Sequence, residues 1–127
     1  MEKPGYTSPV EVRQSPFHGR GLFAAVSFEA GDLIATYPLL ILSQEDTAAI
    51  RGTQIHHYVF YVDENDQGQM RAAVAFGLIS MCNHSPEANA EFSVDADAQT
   101  VTLSAGTNIP LDAEILIDYE EFAAEIV

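Results

Sequence analysis

The chain reads as a single, mainly β domain, and three observations predict that class. Glycine, proline and Asx residues recur at short intervals. The runs between them are short and rich in Val, Ile, Phe and Tyr, side chains that suit a pleated, half-buried surface. A length of 127 residues, 47% apolar and 19% charged, is enough for one buried core, so residues 1–127 are expected to form one domain.

Taken in order, strands are expected over 10–13, 21–25, 33–42, 58–63, 70–73, 90–95, 100–105 and 115–119. Between the third and fourth, Ser43 followed three places on by Asp46 marks a helix start, with an end near Gly52. Residues 63–68 form a polar hairpin tip in which Gly68 can supply a positive φ. The apolar stretch 75–82, interrupted by Gly77, is either a helical turn or a buried strand, because periodicity over so few residues does not arbitrate. His56 and His57, adjacent at a strand start, point to opposite faces and suit surface or rim positions better than a shared metal. Tyr58, Val59, Phe60 and Tyr61 read as a half-buried strand, since the basic residues that accompany a base-stacking platform are missing.

Charge narrows the partners. The net charge is −14, of which residues 64–127 contribute −11 and residues 1–63 only −3. Such a field repels nucleic acid phosphates and anionic membranes, and it draws in basic proteins or peptides at a rate that falls as salt rises. Acidic surfaces also simply serve solubility. With no apolar leader at the start and no run of about 18 apolar residues, the expectation is a soluble, intracellular protein, cytoplasmic, or nuclear in a eukaryotic host. The single Cys82 leaves no internal disulfide or cysteine-rich zinc cluster and reads as a small buried hydrophobe; no metal is expected.

Three segments stand out. In Phe17-His18-Gly19-Arg20-Gly21-Leu22-Phe23 two glycines flank one residue before an apolar strand, which is a ligand-approaching loop or a plain hairpin turn. Then Gly77 to Ala90 is an apolar run ending in Asn83-His84-Ser85, either a hydrogen-bonding cluster for a ligand or a self-satisfied Asx turn. Finally, Glu114-Ile115-Leu116-Ile117-Asp118-Tyr119 is an alternating strand ending on a tyrosine. In this order the segments resemble the SET-domain family of protein lysine methyltransferases, matching its G-x-G-L-F loop, its N-H-S motif followed by Asn89, and its E-(apolar)-D-Y end.

The resemblance spans about Val10 to Tyr119 and leaves 120–127 as a short acidic tail. It implies a β-clip of several short-stranded sheets, one or two short helices and a knot-like C-terminal threading, without flanking zinc segments. It also implies S-adenosylmethionine as methyl donor and S-adenosylhomocysteine as product. Backbone groups of His18, Gly19 and Arg20, together with Asn83 and His84, are expected to contact the donor. Tyr119 is expected beside the sulfonium methyl as a catalytic residue. Tyr37 is expected in the lysine channel, also in a catalytic role, and Phe92 at a channel position where phenylalanine implies di- or trimethyl-lysine products. Where other members carry proline and glycine, this chain has Ala88 and Ala113, so both turns are expected to be built differently. With no cysteine after Cys82, closure of the channel falls to Phe122 or to a second subunit in a homodimer.

These residue types suit the chemistry. Direct displacement needs a neutral amine, and a lysine of pKa near 10.4 must give up about 4.6 kcal/mol to expose its lone pair at pH 7. An apolar, aromatic-walled channel lowers that cost by disfavouring the ammonium. Glu91, Asp95 and Asp97 belong either to an acidic substrate rim or to a solvated face. The competing readings are a non-catalytic acidic β module that holds basic peptides and an assembly subunit.

Overall fold

The computed structural model describes residues 8–16 and 19–118. The elements are β1 (Val10–Gln14), β2 (Arg20–Ala24), β3 (Leu33–Ile41), α1 (Gln44–Ala49), β4 (Val59–Glu64), β5 (Met70–Ala75), β6 (Asn83–His84), β7 (Ala90–Asp95), β8 (Thr100–Ala105) and β9 (Glu114–Ile117). Two 3-10 turns, Gln54–Tyr58 and Leu78–Met81, complete the described part. The mainly β expectation holds, with short strands and few helices.

Two sheets form. The smaller runs β1-β2-β9-β6 and the larger β4-β5-β3-β8-β7. In the larger sheet Tyr37 lies opposite Val101 and Ala35 opposite Leu103, while Val94 and Phe92 flank the same two residues from the other side. Residues directly opposite in a ladder share a face. Val101 and Leu103 are fully buried, so Ala35, Tyr37, Phe92 and Val94 all look toward the core. The sheet curls until its edge strands β4 and β7 meet, and the rings of Phe60 and Phe92 stand 5.5 Å apart across the join. The core joins both sheets through Leu22, Ile79, Leu103, Ile109, Ile115 and Ile117. Each such side chain contributes about 1.5–3 kcal/mol by leaving water.

The local signals act as their chemistry dictates. The Ser43 hydroxyl accepts from the Asp46 amide at 3.0 Å and caps α1. Buried Thr47 then ties the helix to β5, its hydroxyl accepting from the Ala72 amide at 2.9 Å. Gly68 takes a φ of 76° at the β4–β5 hairpin tip. The stretch after β5 resolves as a turn rather than a strand. One expectation needs correcting: Gln54–Tyr58 is a 3-10 turn, so the two histidines and Tyr58 precede the strand instead of opening it.

Near the end of the chain, β9 slides between β2 and β6, antiparallel to the first and parallel to the second. The last described strand therefore enters the middle of a sheet made by earlier segments. Asn89 locks it there. Its side-chain amide donates to the Glu114 carbonyl and accepts from the Leu116 amide, both at 2.8 Å, imitating a strand neighbour. The turn before β9 lacks the family's glycine, and Asp112 adopts the positive φ of 72° instead, with the Ala113 amide donating to the Pro110 carbonyl. No helix among the described residues is long and apolar enough to cross a membrane.

Candidate active site

The loop before β2, the 3-10 turn Leu78–Met81 and the start of β6 surround one cavity of about 270 Å³. Gly19, Arg20, Tyr58, Ser80, Met81, Cys82 and Asn83 line it. Gly19 sits in the left-handed region at φ 37°, and a side chain there would meet nothing within 4 Å, so its backbone faces open space. Its carbonyl accepts from the Ser15 amide at 2.7 Å, which pins the loop back onto the end of β1.

Asn83 is fastened to that loop. Its Nδ2 donates to the Arg20 carbonyl at 3.1 Å and to Glu114 Oε2 at 2.8 Å. The other carboxylate oxygen of Glu114 accepts from the Ser15 hydroxyl at 2.9 Å. This explains the second glycine of the loop: a Cβ on Gly21 would lie 2.9 Å from Asn83 Nδ2 and 3.0 Å from Glu114 Cδ. His84, on the next position of β6, is not part of the cavity wall. Its Nδ1 lies 3.7 Å from Asp118 Oδ1, at the end of β9.

Behind the 3-10 turn lies the aromatic side of the site. The Tyr37 ring packs flat against Gly77, where a Cβ would come within 2.5 Å of Cε1 and 2.7 Å of Cγ. Burial pushes the Tyr37 phenol above its ordinary value, and neighbouring Cys82 adds to the effect. Cys82 forms part of the cavity wall, and its charge, were it ionised, would be felt at Tyr37. Its thiol is pushed up to about 12 by burial first and by the Glu114 carboxylate second, which makes it an inert filler rather than a nucleophile. Phe92 shares the Tyr37 face two strands away, beyond β8.

Of the residues expected at the site, the structure brings Gly19, Arg20 and Asn83 together, with Tyr37 behind them. His18, Tyr119 and Phe122 lie outside the described residues. Tyr58 and Met81 line the cavity without having been singled out for it, while Gly77 and Glu114 stand inside the second and third motif segments but were given no role there. Glu91, Asp95 and Asp97 are exposed, in or just after the edge strand β7.

The comparisons agree with this geometry. The SET domain family model matches residues 19–120. The histone-lysine N-methyltransferase, H3 lysine-37 specific, of Schizosaccharomyces pombe is 29% identical over 120 residues, covering 94% of this chain and 78% of that protein. A proposed histone methyltransferase of Plasmodium falciparum superposes with a TM-score of 0.71 at 19% identity, over 90% of this chain and 95% of that one. The Neurospora SET domain protein DIM-5, a histone lysine methyltransferase, does so with a TM-score of 0.66 at 20% identity, over 91% of this chain and 53% of that one. At such identities the structural matches establish the fold. The sequence match runs from the Gly19 loop through the Asn83 segment and β9, and on that ground the chain belongs to the SET domain family.

Proposed function

We propose that the chain is a protein-lysine N-methyltransferase that takes its methyl group from S-adenosylmethionine. The observation that carries this reading is the meeting of the Gly19–Arg20 backbone and the Asn83 amide on one cavity, with the Tyr37 ring packed on Gly77 just before the 3-10 turn that lines it. The donor set fits S-adenosylmethionine. Open backbone at Gly19 and Arg20 and the Asn83 side chain suit its amino acid and ribose groups. Tyr58 and Met81 offer soft, flat surface for its purine.

When bound, S-adenosylmethionine supplies an electrophilic methyl carried on a positively charged sulfur. The chain's own residues prepare the acceptor. Tyr37 and Phe92, on the inner face of the curled sheet, exclude water and favour the neutral amine of a lysine. The Tyr119 hydroxyl oxygen accepts a hydrogen bond from that amine and aims its lone pair at the methyl. His84 braces the end of β9 through Asp118, one residue before Tyr119. Phe92, with no hydroxyl to hold a water beside the amine, suits di- and trimethyl products. The net charge of −14 fits a basic, histone-like or ribosomal substrate met inside the cell. Phe122 or a second copy of the chain closes the channel.

The test is transfer of label from S-adenosylmethionine to lysine in basic proteins, read by mass spectrometry, for wild type and Tyr119→Phe. We expect methyl-lysine from wild type and a rate at least about a hundredfold lower from the variant, with the fold kept. A variant within about threefold of wild type would remove Tyr119 from the reaction. Binding of basic peptides without any transfer would leave a non-catalytic module.

A further inference from the structure

We infer that Glu114 is a positioning residue for the donor site, holding the Asn83 amide in one orientation against the Gly19–Arg20 loop. This rests on the reading of the cavity as the S-adenosylmethionine site. Glu114 opens β9 and reaches across Gly21, where the missing side chain leaves room for its carboxylate. Each carboxylate oxygen takes one donor: Oε1 the Ser15 hydroxyl at 2.9 Å, Oε2 the Asn83 Nδ2 at 2.8 Å.

The consequence for Asn83 is specific. An amide has one donor end and one acceptor end, and here the nitrogen faces two oxygens, Glu114 Oε2 and the Arg20 carbonyl. A flipped amide would put oxygen against both and lose both bonds. Glu114 thereby fixes which end of Asn83 meets the ligand, and it does so through a carboxylate, which accepts from both sides without rotating. It also ties together segments far apart in the chain: the end of β1, the glycine loop, β6 and β9. Those are the segments that must meet before the cavity has a wall. Further evidence of proximity comes from Cys82 in that wall, whose thiol the Glu114 charge helps to hold protonated.

The residue acts through Asn83, so its removal should be felt in donor affinity and not in the chemical step. Glutamine retains an acceptor for Asn83, while its amide can donate to a rotated Ser15 hydroxyl. Glu114→Gln should therefore keep the Kd for S-adenosylhomocysteine within about threefold of wild type, while Glu114→Ala should raise it at least about tenfold. In Glu114→Ala the KM for S-adenosylmethionine should rise in parallel, with kcat at saturating donor and the KM for the protein substrate within about threefold of wild type. Should Glu114→Ala not fold, Glu114→Asp carries the test: it keeps the charge but is one methylene too short to reach both donors, and the same rise in Kd is expected. Wild-type donor affinity in Glu114→Ala or Glu114→Asp, or a change confined to thermal stability, would overturn the inference. Failure of the underlying reading looks different: wild type and Asn83→Ala would then bind S-adenosylhomocysteine equally poorly.

Discussion

Replacing Gly77 by alanine tests how the aromatic side of the site is built. Gly77 has φ 168° and ψ 179°, an extended backbone open to any residue, so the substitution adds no backbone strain. What it adds is one carbon, placed 2.5 Å from Tyr37 Cε1 and 2.7 Å from Cγ. Carbon atoms rest about 3.5 Å apart, so the ring must retreat by about 1 Å or more. Overpacking of this kind costs about 1–3 kcal/mol. At about 4 °C per kcal/mol for a domain of this size, Tm should fall by about 4–12 °C. A displacement of about 1 Å in a residue that places the acceptor can cost up to about a hundredfold in rate, so kcat should drop at least about tenfold. Donor affinity should hold within about threefold, because neither Gly77 nor Tyr37 lines the cavity formed with Gly19, Arg20 and Asn83. Calorimetric unfolding and steady-state kinetics read all three quantities. Adding Tyr37→Ala should absorb the penalty, with a coupling of at least about 1 kcal/mol in the double-mutant cycle. A Gly77→Ala protein with Tm within about 2 °C and kcat within about twofold of wild type would refute the packing of Tyr37 on Gly77.

Asn89→Ala should cost about 1–3 kcal/mol in urea unfolding, because it strips partners from the Glu114 carbonyl and the Leu116 amide. Faster hydrogen exchange at the Leu116 amide would locate the loss, and unchanged exchange there would contradict the locking role. Cys82, its thiol pushed up to about 12, should resist thiol reagents at pH 8 in the folded state, and labelling at the rate of a free thiol would contradict its burial. Because folding raises the pKa of Cys82 from 9.0 and of Tyr37 from 10.0, the folded form holds protons that the unfolded form loses. Stability should be level through neutral pH and decline above about pH 9 by on the order of 1 kcal/mol per unit, less steeply in Cys82→Ala.

Much of the fold was legible because its signals are local. Runs such as 100–105 alternate within themselves, Ser43 and Asp46 sit one turn apart, and Gly68 announces its own hairpin. What escaped depends on partners distant in the chain. Asn83–His84 are too few to read as a strand and become one only because β9 lies alongside. The Ser15–Glu114 hydrogen bond spans 99 positions, and nothing near either residue hints at it. Tyr58 looked like the start of an aromatic strand, yet a 3-10 turn swings it to the cavity. Motif reading located the glycine loop and Asn83, whose chemistry is carried by their own identity. It contained Gly77 and Glu114 but gave them no role, because their importance lies in what packs against them.

The most direct measurement is calorimetric titration of S-adenosylhomocysteine into the wild-type chain and into Asn83→Ala. A saturable one-to-one isotherm for wild type, weakened at least about tenfold in the variant, is the predicted result. No heat of binding in wild type, or equal affinity in both proteins, would contradict the assignment of this cavity to the methyl donor.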